Sequence, residues 1–137
     1  MTTATALLTQ WIAHLRDERR FADNSVEAYE RDVAAFLGFL SGHLGGEPSV
    51  RDLAELEPRD LRAYLAYRRQ GLDALSDRSI SRALAAIRSF YRYLERRHGV
   101  ANARLALVRG PKLKATLPRP VSEAAARNLI SEAGDAA

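Results

Sequence analysis

Residues 78–97 read RSISRALAAIRSFYRYLERR, with six arginines and a single acid, Glu95. At about 100° per residue, with Arg78 at zero, Arg82 falls near 40°, Arg88 near 280°, Arg92 near 320° and Arg96 back near zero. Ser81, Ala85 and Ser89 share that arc, while Ile80, Ala83, Leu84, Ile87, Phe90, Tyr91 and Leu94 lie on the other side. Only Arg97 departs clearly from the stripe. The stretch is an amphipathic helix with an apolar stripe facing a core and an arginine stripe facing away. Because the chain contains no convincing run of alternating β-branched residues, the fold class it sets is all-α.

The same periodicity runs upstream. A first helix is predicted over about residues 5–19, with Leu7, Leu8, Trp11, Ile12 and Leu15 at helical spacing. A turn at FADNS follows, and Asp23 or Asn24 is placed to cap a second helix, with Glu27 completing a capping box from Asn24. That helix carries Val26, Tyr29, Val33, Phe36, Leu37 and Leu40 on one face, and SGHLGGEPS ends it. A third helix runs from Pro58, a tolerated first-turn proline, to about Gln70, where Gly71 stops it. The fourth starts after Ser76 or Asp77 and ends near His98 and Gly99. A short helical turn is expected at residues 102–107. VRGPKLKATLPRP then reads as an extended linker, and Ser122 caps a last helix through Ile130 with nothing obvious to pack on.

Composition narrows the function classes. The 137 residues are 47% hydrophobic and 28% charged, enough for one domain with a core or one domain plus the start of another. No apolar run approaches the roughly 20 residues that span a bilayer, and MTTATALLTQW lacks the layout of a signal peptide. With no cysteine there are no disulfides or thiolate metal sites, in keeping with a cytoplasmic protein. His14, His43 and His98 lack ligand spacing, so neither a metal nor another cofactor is expected.

Charge is unevenly distributed. Residues 1–77 carry nine basic and thirteen acidic side chains, whereas residues 78–119 carry eleven basic and one acidic, within an overall net charge of +4. A one-sign block attracts a polyanion, and solvated helix faces normally mix glutamate with arginine or lysine. Small residues between the arginines let the backbone approach a surface closely. A helix fits the major groove of B-DNA, where arginine contacts phosphates or guanine edges, so double-stranded DNA is the expected partner. A membrane surface would call for an exposed apolar face.

Residues 79–94, SISRALAAIRSFYRYL, resemble the last main helix of the N-terminal core-binding domain of tyrosine site-specific recombinases of the XerC/XerD type, in the phage-integrase family. Residues 24–36, NSVEAYERDVAAF, are similar to that family's second helix, with serine, tyrosine, aspartate and phenylalanine at matching spacing. Pro111-Lys112 and LPRPVS at 117–122 look like its interdomain linker and the start of its catalytic domain. The resemblance covers essentially the whole chain in order. It implies a four-helix orthogonal, SAM-like bundle over residues 1–107, a linker at 108–121, and the first helix of a truncated catalytic domain at 122–137.

The resemblance further implies a domain that grips one face of duplex DNA during strand exchange, for chromosome dimer resolution or DNA integration. A separate catalytic domain would close over the other face, and family members act as tetramers on two sites. Its chemistry, tyrosine attack on a phosphate stabilised by basic side chains, has no counterpart here. All five tyrosines precede the linker without the required partner set, so the chain is expected to be monomeric and not an enzyme on its own. Candidate DNA contacts are Arg78, Ser79, Ser81, Arg82, Arg88, Ser89 and Arg92 on the fourth helix, and Asn24, Ser25 and Arg31 on the second. Lys112 and Lys114 are candidates in the linker. The rival readings are a helical protein-interaction module with a basic docking face, and a helix-turn-helix regulator. The second lacks the short tight turn it needs.

Overall fold

Thr3 and Ser49 set where the chain enters its first and third helices. In the computed structural model, which describes residues 2–112, the Thr3 hydroxyl accepts from the Ala6 N–H at 3.2 Å and starts α1 (Ala4–Asp17). Ser49 and Asp52 form a reciprocal capping box for α3 (Val50–Glu55). The two caps pair as an isolated antiparallel bridge, and the Ala4 N–H donates to the Pro48 carbonyl at 3.2 Å. The N-terminus is thereby fastened to the α2–α3 connection.

Among the described residues the expected helices are present, with two corrections. α2 (Asp23–Leu44) is not capped by Asp23 or Asn24: its N-cap is Ala22, in extended conformation and without a side-chain bond. Arg20 turns the chain at φ 52°, so the helix begins earlier than the polar residues require, and Asn24 and Ser25 sit exposed in its first turn. The second correction is α3, missing from the four-helix reading because six residues are too few to display a period. α4 (Pro58–Arg68) follows, with Pro58 in its first turn and the Glu57 N–H donating to the Asp60 carboxylate at 2.9 Å. α5 (Asp77–His98) is capped by Ser76 and ends at Gly99, where a φ of 66° favours glycine. A 3₁₀ segment, Ala103–Leu107, completes the described chain. Lys114 and the predicted helix from Ser122 lie outside the described residues.

α1 packs on α2 and α5, α2 on α5, and the 3₁₀ segment on α4. Trp11 lies at the centre, fully buried, stacked on Tyr29 at 6.1 Å and edge-on to Phe90 at 5.3 Å. α5 buries Ile80, Ala83, Leu84, Ala86, Ile87, Phe90, Tyr93 and Leu94. Tyr91 is only half-buried, and its hydroxyl donates to the Leu53 carbonyl at 2.8 Å, tying α5 to α3. Asn102 makes a similar tie: its side-chain amide donates to the carbonyls of Leu53 at 3.1 Å and Leu56 at 2.8 Å. Asn102→Ala should lower stability by about 1–3 kcal/mol, because the Leu56 carbonyl loses its donor at a covered junction while the Leu53 carbonyl keeps only Tyr91. A urea unfolding curve checks this.

Candidate nucleic-acid interface

α5 carries its arginines in two different states. Arg82 is bound on the protein: its Nε and Nη2 donate to the two Asp32 carboxylate oxygens at 2.8 and 3.1 Å. The Asp32 side chain is 4% exposed and that of Arg82 41%, so the pair spans from the α2–α5 interface to the surface. The Asp32 hydrogen bonds raise the Arg82 pKa from its ordinary value. A fork clamped on one edge still presents the other edge to solvent. Arg88 donates to the Val108 carbonyl, and burial, then the neighbouring Arg92 charge, lower its pKa.

The segment after the 3₁₀ turn explains Arg88. Val108 is buried, and Gly110 lies so close to α5 that a Cβ there would stand 3.3 Å from Leu84 and 3.7 Å from the Ser81 hydroxyl. Residues 108–110 therefore run back over one edge of the arginine stripe, covering Arg88 and half-covering Ser81. Ser79 belongs to the helix start, its N–H donating to the Ser76 hydroxyl, which in turn donates to the Ser79 hydroxyl, both at 3.2 Å. The other edge is open. Arg78, Arg92 and Arg96 are exposed and, among the described residues, have no hydrogen bond or ion pair; Ser89 lies half-covered between them.

α2 supplies the neighbouring surface. Asn24, Ser25, Ala28, Tyr29 and Arg82 line, with Phe21, an open groove of about 350 Å³ between α2 and α5. The second-helix candidates are thus brought beside Arg82. Arg31 is exposed, and Asn24, Ala28 and Arg31 fall at i, i+4 and i+7 on one face of α2. Lys112 is exposed just past the docked segment. The result is the exposed arginines of α5 beside a largely apolar groove that Asn24, Ser25 and Arg82 edge, with no carboxylate lining it.

The sequence reading missed Asp32 and Arg96. The signal for Asp32 was a lone acid on the apolar face of α2, between Tyr29 and Phe36 at helical spacing. Arg96 was in the stripe but not among the candidates. Arg97, the one arginine off the stripe, pairs with Glu18 at 2.6 Å. Of the tyrosines, Tyr29, Tyr64 and Tyr93 are buried, and burial pushes the Tyr91 hydroxyl above its ordinary pKa. The exposed Tyr67 sits against Phe39. Among the described residues no histidine and carboxylate cluster could hold a metal, and no helix is long and apolar enough to cross a membrane.

Comparison with known proteins places this surface in context. The chain is 46% identical over 123 residues to the tyrosine recombinase XerC of Rhizobium meliloti (strain 1021), covering 89% of this chain and 38% of that relative. It is 44% identical over 127 residues to the tyrosine recombinase XerC of Mesorhizobium japonicum, covering 93% and 40%. Against the tyrosine recombinase XerC of Methylobacterium nodulans it is 50% identical over 122 residues, covering 88% and 37%. The chain thus spans about two-fifths of the length of these relatives. No solved structure matches it significantly. The family model described as phage integrase, N-terminal SAM-like domain, matches residues 8–98, from the first turns of α1 to the end of α5, and this chain belongs to that family.

Proposed function

We propose that this chain is the DNA-binding domain of a site-specific tyrosine recombinase and that it grips one face of duplex DNA with α5 and the N-terminal half of α2. The observation that carries the reading is the open edge of α5. Three exposed arginines there have no partner among the described residues, next to a groove lined by Asn24, Ser25 and Arg82. A solvated helix of ordinary composition would pair such charges with acids along the helix, as Arg51 does with Glu55 at 3.1 Å on α3. Left unpaired, they neutralise phosphates and fix the register of the helix on the duplex. In this reading the tyrosine nucleophile and its phosphate-stabilising side chains belong to a separate catalytic domain of the parent protein. Its protomers assemble on two sites, for chromosome dimer resolution or for integration.

The test is fluorescence anisotropy with a labelled duplex at low salt, competed with unlabelled duplex and with polyglutamate at equal charge. Duplex should displace the label far better than polyglutamate. Equal displacement by both would instead indicate a basic face built for an acidic protein partner.

A further inference from the structure

α1 and α5 enclose a second concavity that the stripe alone does not explain. It holds about 200 Å³, and its walls include Arg19, Arg92, Arg96 and Arg97, with Ser89, over a base of Trp11, Phe21 and Tyr93. No carboxylate lines it. Arg97 is held at the side, over the Tyr93 ring at 5.9 Å and paired with Glu18. Arg19 lies over Phe21 at 5.8 Å. Arg92 and Arg96, one turn apart on α5, have no hydrogen bond or ion pair among the described residues.

The ordinary account of arginines here is that α1 and α5 both end nearby, and positive charge in a last turn suits the helix dipole. That account explains Arg96 and Arg97 singly. It does not explain why Arg92, more than a turn before the end, joins them and Arg19 around one apolar-floored hollow. Four guanidinium groups brought around one hollow repel one another, and an anion seated between them relieves that repulsion. The hollow is large enough to admit a tetrahedral oxyanion, and Ser89 adds a hydroxyl donor.

We propose that this pocket seats a single phosphate of the DNA backbone, gripped by Arg92 and Arg96 with Arg19 across from them. The inference rests on the DNA-binding reading and extends it. The seat pins the C-terminal end of α5 to one strand, while Arg78 engages the duplex at the other end of the same helix. It turns a diffuse basic face into one with a fixed point of registry.

The test compares the salt dependence of duplex affinity for the intact chain, Arg92→Gln, Arg96→Gln and the double variant. For independent phosphates, each lost contact flattens the slope of log affinity against log salt by about 0.9. A shared phosphate predicts that the double variant flattens it by about 0.9 in total, and that adding Arg78→Gln removes about another 0.9. A loss of about 1.8 from the double variant would mean two separate phosphates and overturn the seat, as would no change at all. If the unsubstituted chain itself lacks salt-dependent binding, the DNA-binding reading fails and the seat with it. Both side chains are exposed and have no partner among the described residues, so far-ultraviolet circular dichroism and the melting temperature should be unchanged in every variant.

Discussion

Replacing Arg82 by alanine should cost the domain about 3–5 kcal/mol of folding stability, before any effect on DNA is considered. The reason is what it leaves behind. Asp32 is 4% exposed, on the face of α2 that packs against α5, and both of its oxygens are occupied by the Arg82 fork. Without that fork an uncompensated carboxylate remains in the interface. The reverse change, Asp32→Asn, should cost less, since Arg82 is 41% exposed and can rehydrate. Arg82→Lys should rescue only in part, because an ammonium cannot donate to both oxygens from one plane. Replacing both partners with apolar side chains of similar volume should recover most of the loss. Urea unfolding followed by circular dichroism measures all four. A loss within about 0.5 kcal/mol for Arg82→Ala would mean the pair behaves as an ordinary surface salt bridge. Weak DNA binding by an Arg82 variant therefore has to be read against its folded fraction.

The second large effect should appear in binding alone. Substituting Arg31, Arg78 and Arg92 together with glutamine removes three exposed charges from two helices without touching the core. If Arg31 and Arg78 each neutralise one phosphate while Arg96 keeps the one it shares with Arg92, the salt slope should flatten by about 1.8, and affinity at about 0.1 M salt should fall on the order of 10²-fold. Stability should stay within about 0.5 kcal/mol, as for surface substitutions in general. Unchanged affinity in the folded triple variant would remove these residues from the interface.

The contrast between these variants also marks how far the sequence could be read. Periodicity placed the long helices and most of the core, because α1, α2 and α5 each run for several turns with an apolar face. It missed α3, which has one buried residue, Leu53, and no repeat to detect. It placed all of the stripe's arginines on one arc, which was correct, but arc position says nothing about partners. Arg82 meets an acid 50 residues away, and Arg88 meets a carbonyl on a segment that returns over the helix. Tyr91 and Tyr93 show the same limit: with Tyr93 buried and Tyr91 half-covered, the buried arc is turned from the one expected. Neighbours from distant sequence decide which charges stay open. The arginine pocket needed the end of α1 beside the end of α5, a juxtaposition no helical arithmetic contains.

The central claim is that one particular face of this domain meets DNA. The most direct measurement is a backbone amide nuclear magnetic resonance titration of the chain with a short duplex at low salt. The account predicts shifts concentrated at Arg78, Arg82, Ser89, Arg92 and Arg96 on α5 and at Asn24, Ser25 and Arg31 on α2. Shifts centred instead on the exposed Tyr67 and Leu72, beside the half-buried Phe39, or none anywhere on α5, would contradict it.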